Sequence, residues 1–132
     1  FTHALQEEVH ALRGAPKPRD APGAARAVVR QYERLGDANV RLAHAAERIP
    51  ALAEAVAQAR RQHQAWLEDV FRDQLPTDPS RRRHLLAQLY VATDVHTWHL
   101  LRRELARSRT ETTTVIESMI RAVLGAVGAK ED

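Results

Sequence analysis

A chain of 132 residues is long enough for one hydrophobic core, and its 44% apolar and 28% charged residues are the composition of an ordinary globular domain. The absence of cysteine excludes disulfides, thiolate catalysis and cysteine-based zinc sites, and no apolar run approaches the roughly 20 residues of a membrane-spanning helix. The formal charge of +3 is mild, with acids scattered among the bases everywhere except at Arg81–Arg83.

In chain order, Phe1 to Leu12 predict a short helix with Leu5, Val9 and Leu12 on one side. The stretch RGAPKPRDAPG, with three prolines and two glycines, predicts a loop. Asp20 is placed to cap the next helix, with Pro22 in its first turn. Its stripe runs Val28, Tyr32, Leu35, Asn39, Leu42, Ala46 and Ile49 in steps of three and four. Gly36 interrupts it at about 1 kcal/mol relative to alanine, which permits a kink or a close neighbour.

Pro50 ends that helix and opens the next. A second stripe reads Leu52, Val56, Ala59, His63, Trp66 and Val70, widened by Leu67, Phe71 and Leu75. The LPTDPS segment is a break in which Asp78 caps and Pro79 starts a third long helix, expected to run to about Arg107. Between Leu85 and Leu101 its apolar residues fall on nearly all sides, the pattern of a helix buried among several neighbours. Ser108 and Glu111 have the spacing of a capping box. The last helix carries an apolar arc from Val115 to Val127 that is too broad for a single contact. No segment alternates with period two, so the fold class is all-α, a bundle of about five to six helices.

Chemistry-bearing motifs are few. Glu7 and His10 form one Glu-x-x-His pair where a di-iron bundle needs two, and His96 and His99 share a face without a carboxylate. No nucleophile elbow, phosphate loop or paired-carboxylate signature is present, so no catalytic residue, metal ligand or cofactor is assigned and an enzyme is not expected. The informative residues are polar groups on apolar stripes: Asn39, His63, Thr93, Asp94 and Thr97. Beside Tyr32, Trp66, Phe71, Tyr90 and Trp98 they suit an apolar pocket with a few orienting polar groups.

The segment DVHTWHLLRRELARSRTETTTVIESMIRAVL, Asp94 to Leu124, resembles the C-terminal end of TetR-family transcriptional regulators, as does VVRQYERLGDANVRLAHAAERIPAL, Val28 to Leu52. Where many such proteins carry tyrosine and lysine, this chain has His96 and His99. The resemblance implies two units. Residues 1–13 would be the linker helix that follows an N-terminal helix-turn-helix domain absent from this chain, and residues 20–128 the ligand-binding and dimerisation domain. It implies a cytoplasmic homodimer with no membrane contact that reaches DNA only through the N-terminal domain, as a repressor released by a small, mostly apolar effector. Its pocket would hold Tyr32, Asn39, His63, Trp66, Phe71, Asp94 and Trp98, with Asp94 or Thr97 orienting the ligand. Its two-fold interface would use Leu101, Ile116, Ile120, Val123 and Val127, with Ala122, Gly125 and Ala126 permitting close approach. The competing expectation is a helical interaction or dimerisation module without a small-molecule site.

Overall fold

Helix caps written into the sequence divide this computed structural model into its elements; it describes residues 2–14 and 20–131, with side chains over 7–14 and 20–126. Helix α1 (Thr2–Arg13) ends at Gly14, which takes a left-handed φ of 66°. Helix α2 (Ala21–Ala45) begins where the Asp20 carboxylate accepts from the Gly23 N–H at 2.8 Å. Helix α3 (Pro50–Val70) opens on Pro50, and a single 3₁₀ turn, Arg72–Gln74, follows it. Helix α4 (Pro79–Thr93) is capped by Asp78, which accepts from the Arg81 N–H at 2.9 Å. Among the described residues there is no strand, and the all-α expectation holds.

The third long helix is not continuous to Arg107. It breaks at Asp94, whose ψ of 152° is extended and whose carboxylate accepts from the His96 N–H at 3.0 Å. Asp94 therefore ends α4 and caps a short helix, α5 (Val95–His99). The Thr93 hydroxyl donates back to the Leu89 carbonyl at 2.8 Å, a bond that competes with the helical ladder and favours a bend there. Apolar residues surround this segment on all sides, so no phase change in the pattern marked the break. A π-helical turn, Leu100–Glu104, continues from α5. Ala106 at φ 53° then turns the chain into α6 (Arg109–Glu131), where the Ser108 hydroxyl accepts from the Glu111 N–H at 3.0 Å.

Helix α2 is the axis of the bundle, with α1, α3, α5 and α6 packed around it and α4 bridging α3 and α6. The core is drawn from every long helix: Val28, Leu67, Phe71, Leu85, Leu89, Trp98, Ile116 and Ile120 have essentially no exposed surface. Helix α1 packs along α2. The Arg30 side chain holds the Leu12 carbonyl at 2.8 Å, and Arg34 pairs with Glu8.

Candidate functional site

The bundle is unevenly filled, and the difference defines the site. On one side of α2, Gly36 lets Trp98 lie against the helix backbone; a Cβ there would come within 2.5 Å of the indole. The Trp98 indole N–H donates to Glu33 at 2.7 Å, and the same carboxylate receives Arg102 at 2.8 and 2.9 Å. Arg103 forms a second two-pronged pair, with Asp37 at 2.9 and 3.0 Å, and its guanidinium lies 5.0 Å from the Trp98 ring centre. The hydrogen bonds from Arg102 hold the Glu33 carboxyl below its ordinary range, and those from Arg103 do the same for Asp37.

On the other side, α1, α2, α3, α4 and the start of α5 leave a cavity of about 830 Å³. Val9, Leu42, Val56 and Val95 supply apolar wall, and exposed residues such as Gln62, Val91 and His96 lie at its rim. Its polar side is a buried chain of hydrogen bonds. Arg13, at the last turn of α1, donates through Nε to Gln31 Oε1 and through Nη1 to His63 Nδ1 at 2.8 Å. His63 Nε2 lies 2.8 Å from the Thr93 hydroxyl, which donates onward to Leu89. The Tyr32 hydroxyl donates to the Thr93 carbonyl at 2.7 Å and lies 3.4 Å from Arg13 Nη2.

This network fixes the state of the histidine. A guanidinium can only donate, so His63 Nδ1 must offer its lone pair and Nε2 must carry the proton. Burial first, and the Arg13 charge second, push the His63 pKa well below the usual imidazole value. Burial likewise raises the Tyr32 phenol, which stays protonated. Desolvation by burial also lowers the Arg13 pKa. The guanidinium sits 4.5 Å over the Trp66 ring, and His63 stacks on Trp66 and meets the edge of Tyr90 at 4.8 Å. Trp66 lines the cavity with its indole N–H buried and without a partner.

Of the residues expected in the pocket, Tyr32, Asn39, His63, Trp66 and Asp94 line this cavity, as does Thr97. Phe71 and Trp98 do not: both are fully buried in the core, and Trp98 is wedged between Gly36 and Glu33. Asp94 is committed to the α5 cap and to His96 Nδ1 at 2.9 Å, and the Thr97 hydroxyl bonds the Val91 carbonyl across the α4–α5 break. Arg13 and Gln31 were not anticipated from the sequence. Gln31 neighbours Tyr32 on the buried side of α2, while nothing in the short first helix announced that Arg13 would turn inward. His10, Tyr90 and His96 also border the cavity, and among the described residues no group of three His, Asp or Glu side chains could hold a metal ion.

The residues expected at a two-fold interface divide. Leu101, Ile116 and Ile120 are buried inside this chain, and Val123 packs partly against the same core; Val127 lies outside the described side chains. The correction has a simple cause. Adjacent residues on a helix point about 100° apart, so the arc of α6 covers two faces, and the inward one serves the chain's own core. Its outward face carries Val115, Ser118, Ala122, Gly125 and Ala126, all exposed. Compared with known proteins, the chain matches no family model, no curated protein and no solved structure.

Proposed function

We propose that this chain is a small-molecule sensing and dimerisation domain of a TetR-like transcriptional regulator. The observation that carries the reading is the cavity of about 830 Å³, within the size range of ligand sites and lined by apolar side chains with a few fixed polar groups. A fully packed interaction module has no need of such a space. Four helices meet at its polar side through Arg13, Tyr32, His63 and Thr93, so an occupant touching that network touches the relative placement of α1, α2, α3 and α4. Such an occupant changes an equilibrium between arrangements only as far as it binds one of them better.

In this reading two copies associate through the outward face of α6, where Val115, Ser118, Ala122, Gly125 and Ala126 allow close approach. A Cβ at Gly125 would meet nothing within 4 Å in the single chain. Effector binding would alter the spacing of paired DNA-reading domains, which must match half-sites about 34–36 Å apart. The resemblance of Val28–Leu52 and Asp94–Leu124 to TetR-family sequences supports this regulatory role, and repression relieved by the effector is its simplest form. Cytoplasmic location belongs to the same proposal; among the described residues no helix is long and apolar enough to cross a membrane.

The test uses Nile red, a neutral dye that fluoresces in apolar cavities, together with native mass spectrometry of the purified chain. The reading expects saturable dye binding, lost when Ala55→Leu fills the cavity wall, and a mass of two chains. Absence of dye binding would favour the interaction module, and a monomer would remove the α6 interface.

A further inference from the structure

The cavity combines an apolar wall with one buried cation that no carboxylate balances. Arg13 is 9% exposed, and its acceptors, Gln31, His63 and Tyr32, are all neutral. Among the described residues it forms no ion pair, whereas Arg34, Arg61, Arg102, Arg103 and Arg121 each pair with a carboxylate. A buried charge without a counter-charge is costly. A guanidinium has five N–H groups, and three are used, one of them in the long 3.4 Å contact with Tyr32. Each terminal nitrogen therefore keeps one N–H without an acceptor. The Trp66 indole N–H, on the residue beneath the guanidinium, is a further buried donor without a partner.

The acid groups at the cavity do not supply what is missing. Asp94 is bonded to the α5 N-terminus and to His96, and Asp69 is exposed. The polar side of the cavity is therefore rich in donors and positive charge and short of acceptors. We propose that the ligand of this cavity is an apolar monocarboxylate, its carboxylate bound by Arg13 and its hydrocarbon or aromatic body lying along Val9, Leu42, Val56 and Val95. The inference rests on the sensing reading above and narrows it from an apolar effector to an acidic one. A dianion such as a phosphate monoester fits less well, because a single buried cation would leave its second charge unbalanced with Asp94 also on the wall. Neutral His63 supplies no further charge.

Displacement of Nile red by decanoate and by 1-decanol, at neutral pH and below the micelle limits, tests the proposal. Decanoate is expected to displace the dye at a concentration lower by about tenfold or more, the range for a hydrogen-bonded charged partner. The preference should persist at high salt, because a buried pair is little screened. In Arg13→Met the preference should vanish while Nile red still binds, and Arg13→Lys should keep part of it. Equal displacement by acid and alcohol, or a preference unchanged in Arg13→Met, overturns the carboxylate assignment and leaves the cavity reading standing. Failure of Nile red to bind the unaltered chain overturns both. Should Arg13→Met not fold, Arg13→Lys and the high-salt comparison decide the matter, since a preference erased by salt reports surface charge instead.

Discussion

Two sides of α2 are built from the same parts and finished differently. Each sets a tryptophan beside an arginine, Trp98 with Arg103 on one side and Trp66 with Arg13 on the other. Around Trp98 the charged groups pair: the indole reaches Glu33, Arg102 shares that carboxylate, and Arg103 pairs with Asp37. Around Trp66 the indole N–H is unanswered, and the arginine has only neutral acceptors beside a cavity of about 830 Å³. The first side stabilises the fold by ion pairing and close packing. The second leaves donors unpaired at one place, the condition under which a binding partner adds most.

The contrast is sharpest in volume. Gly36→Val forces a branched side chain into space the Trp98 ring already fills, and is expected to cost about 3 kcal/mol in chemical denaturation. Ala55→Leu adds the same three carbons but into the cavity, so stability should change by about 0.5 kcal/mol or less while dye binding falls. Comparable losses from the two substitutions would mean that the cavity is closed in solution. Charge gives the next largest separation. Glu33→Ala strands the Trp98 indole and Arg102 together and is expected to cost about 2 kcal/mol. Arg13→Met removes a buried cation that has no counter-charge, and should cost clearly less. A larger loss for Arg13→Met would show that the network, rather than Glu33, anchors the bundle.

What the sequence disclosed follows the range of the interactions. The caps at Asp20, Asp78 and Ser108 and the proline starts at Pro50 and Pro79 depend on residues three or four apart, and all were legible. Five of the seven expected pocket residues line the cavity, because a polar side chain on an apolar stripe needs a partner wherever it points. Trp98 and Phe71 carry no such signal: an aromatic residue on a stripe reads alike whether it fills a core or walls a cavity. Gly36 was legible as a close approach, though not that Trp98 was the neighbour. Arg13 could not be found locally, since its partners Gln31, His63 and Tyr32 lie 18 to 50 residues away. Ile116 and Ile120 were misassigned outward because α6 is apolar on two faces, and only the tertiary fold distinguishes them.

Acid should separate the two sides by pH. Unfolded imidazole takes up a proton near pH 6.5, whereas folded His63 resists protonation until well below that value. The unfolded state then binds more protons, so stability is complete above pH about 6.5 and falls as pH drops, by at most about 1.4 kcal/mol per unit for one group. Glu33 and Asp37 are depressed in the same direction, but their contribution is lost only below the ordinary carboxylate range, about pH 4. A melting series from pH 7 to 5 should therefore report the open side alone. His63→Gln can accept from Arg13 and donate to Thr93 without titrating, so it should flatten that slope; an unchanged slope would place the loss elsewhere.

The smallest effect belongs to Ala106, which links the π turn to α6 with φ at 53°. Left-handed backbone crowds the alanine Cβ against the following carbonyl, a cost glycine avoids. Against that gain stands the larger entropy that glycine loses on folding, so Ala106→Gly is expected to raise stability by only about 0.5 kcal/mol. The substitution lies beyond Arg103 on the packed side, where the Arg102 guanidinium also holds the Arg107 carbonyl at 3.0 Å. If the two sides are independent, the melting point rises slightly and decanoate displaces Nile red as before. A matching shift in decanoate affinity would show instead that the turn into α6 is coupled to the cavity, and that the packed side takes part in binding rather than serving as a fixed support.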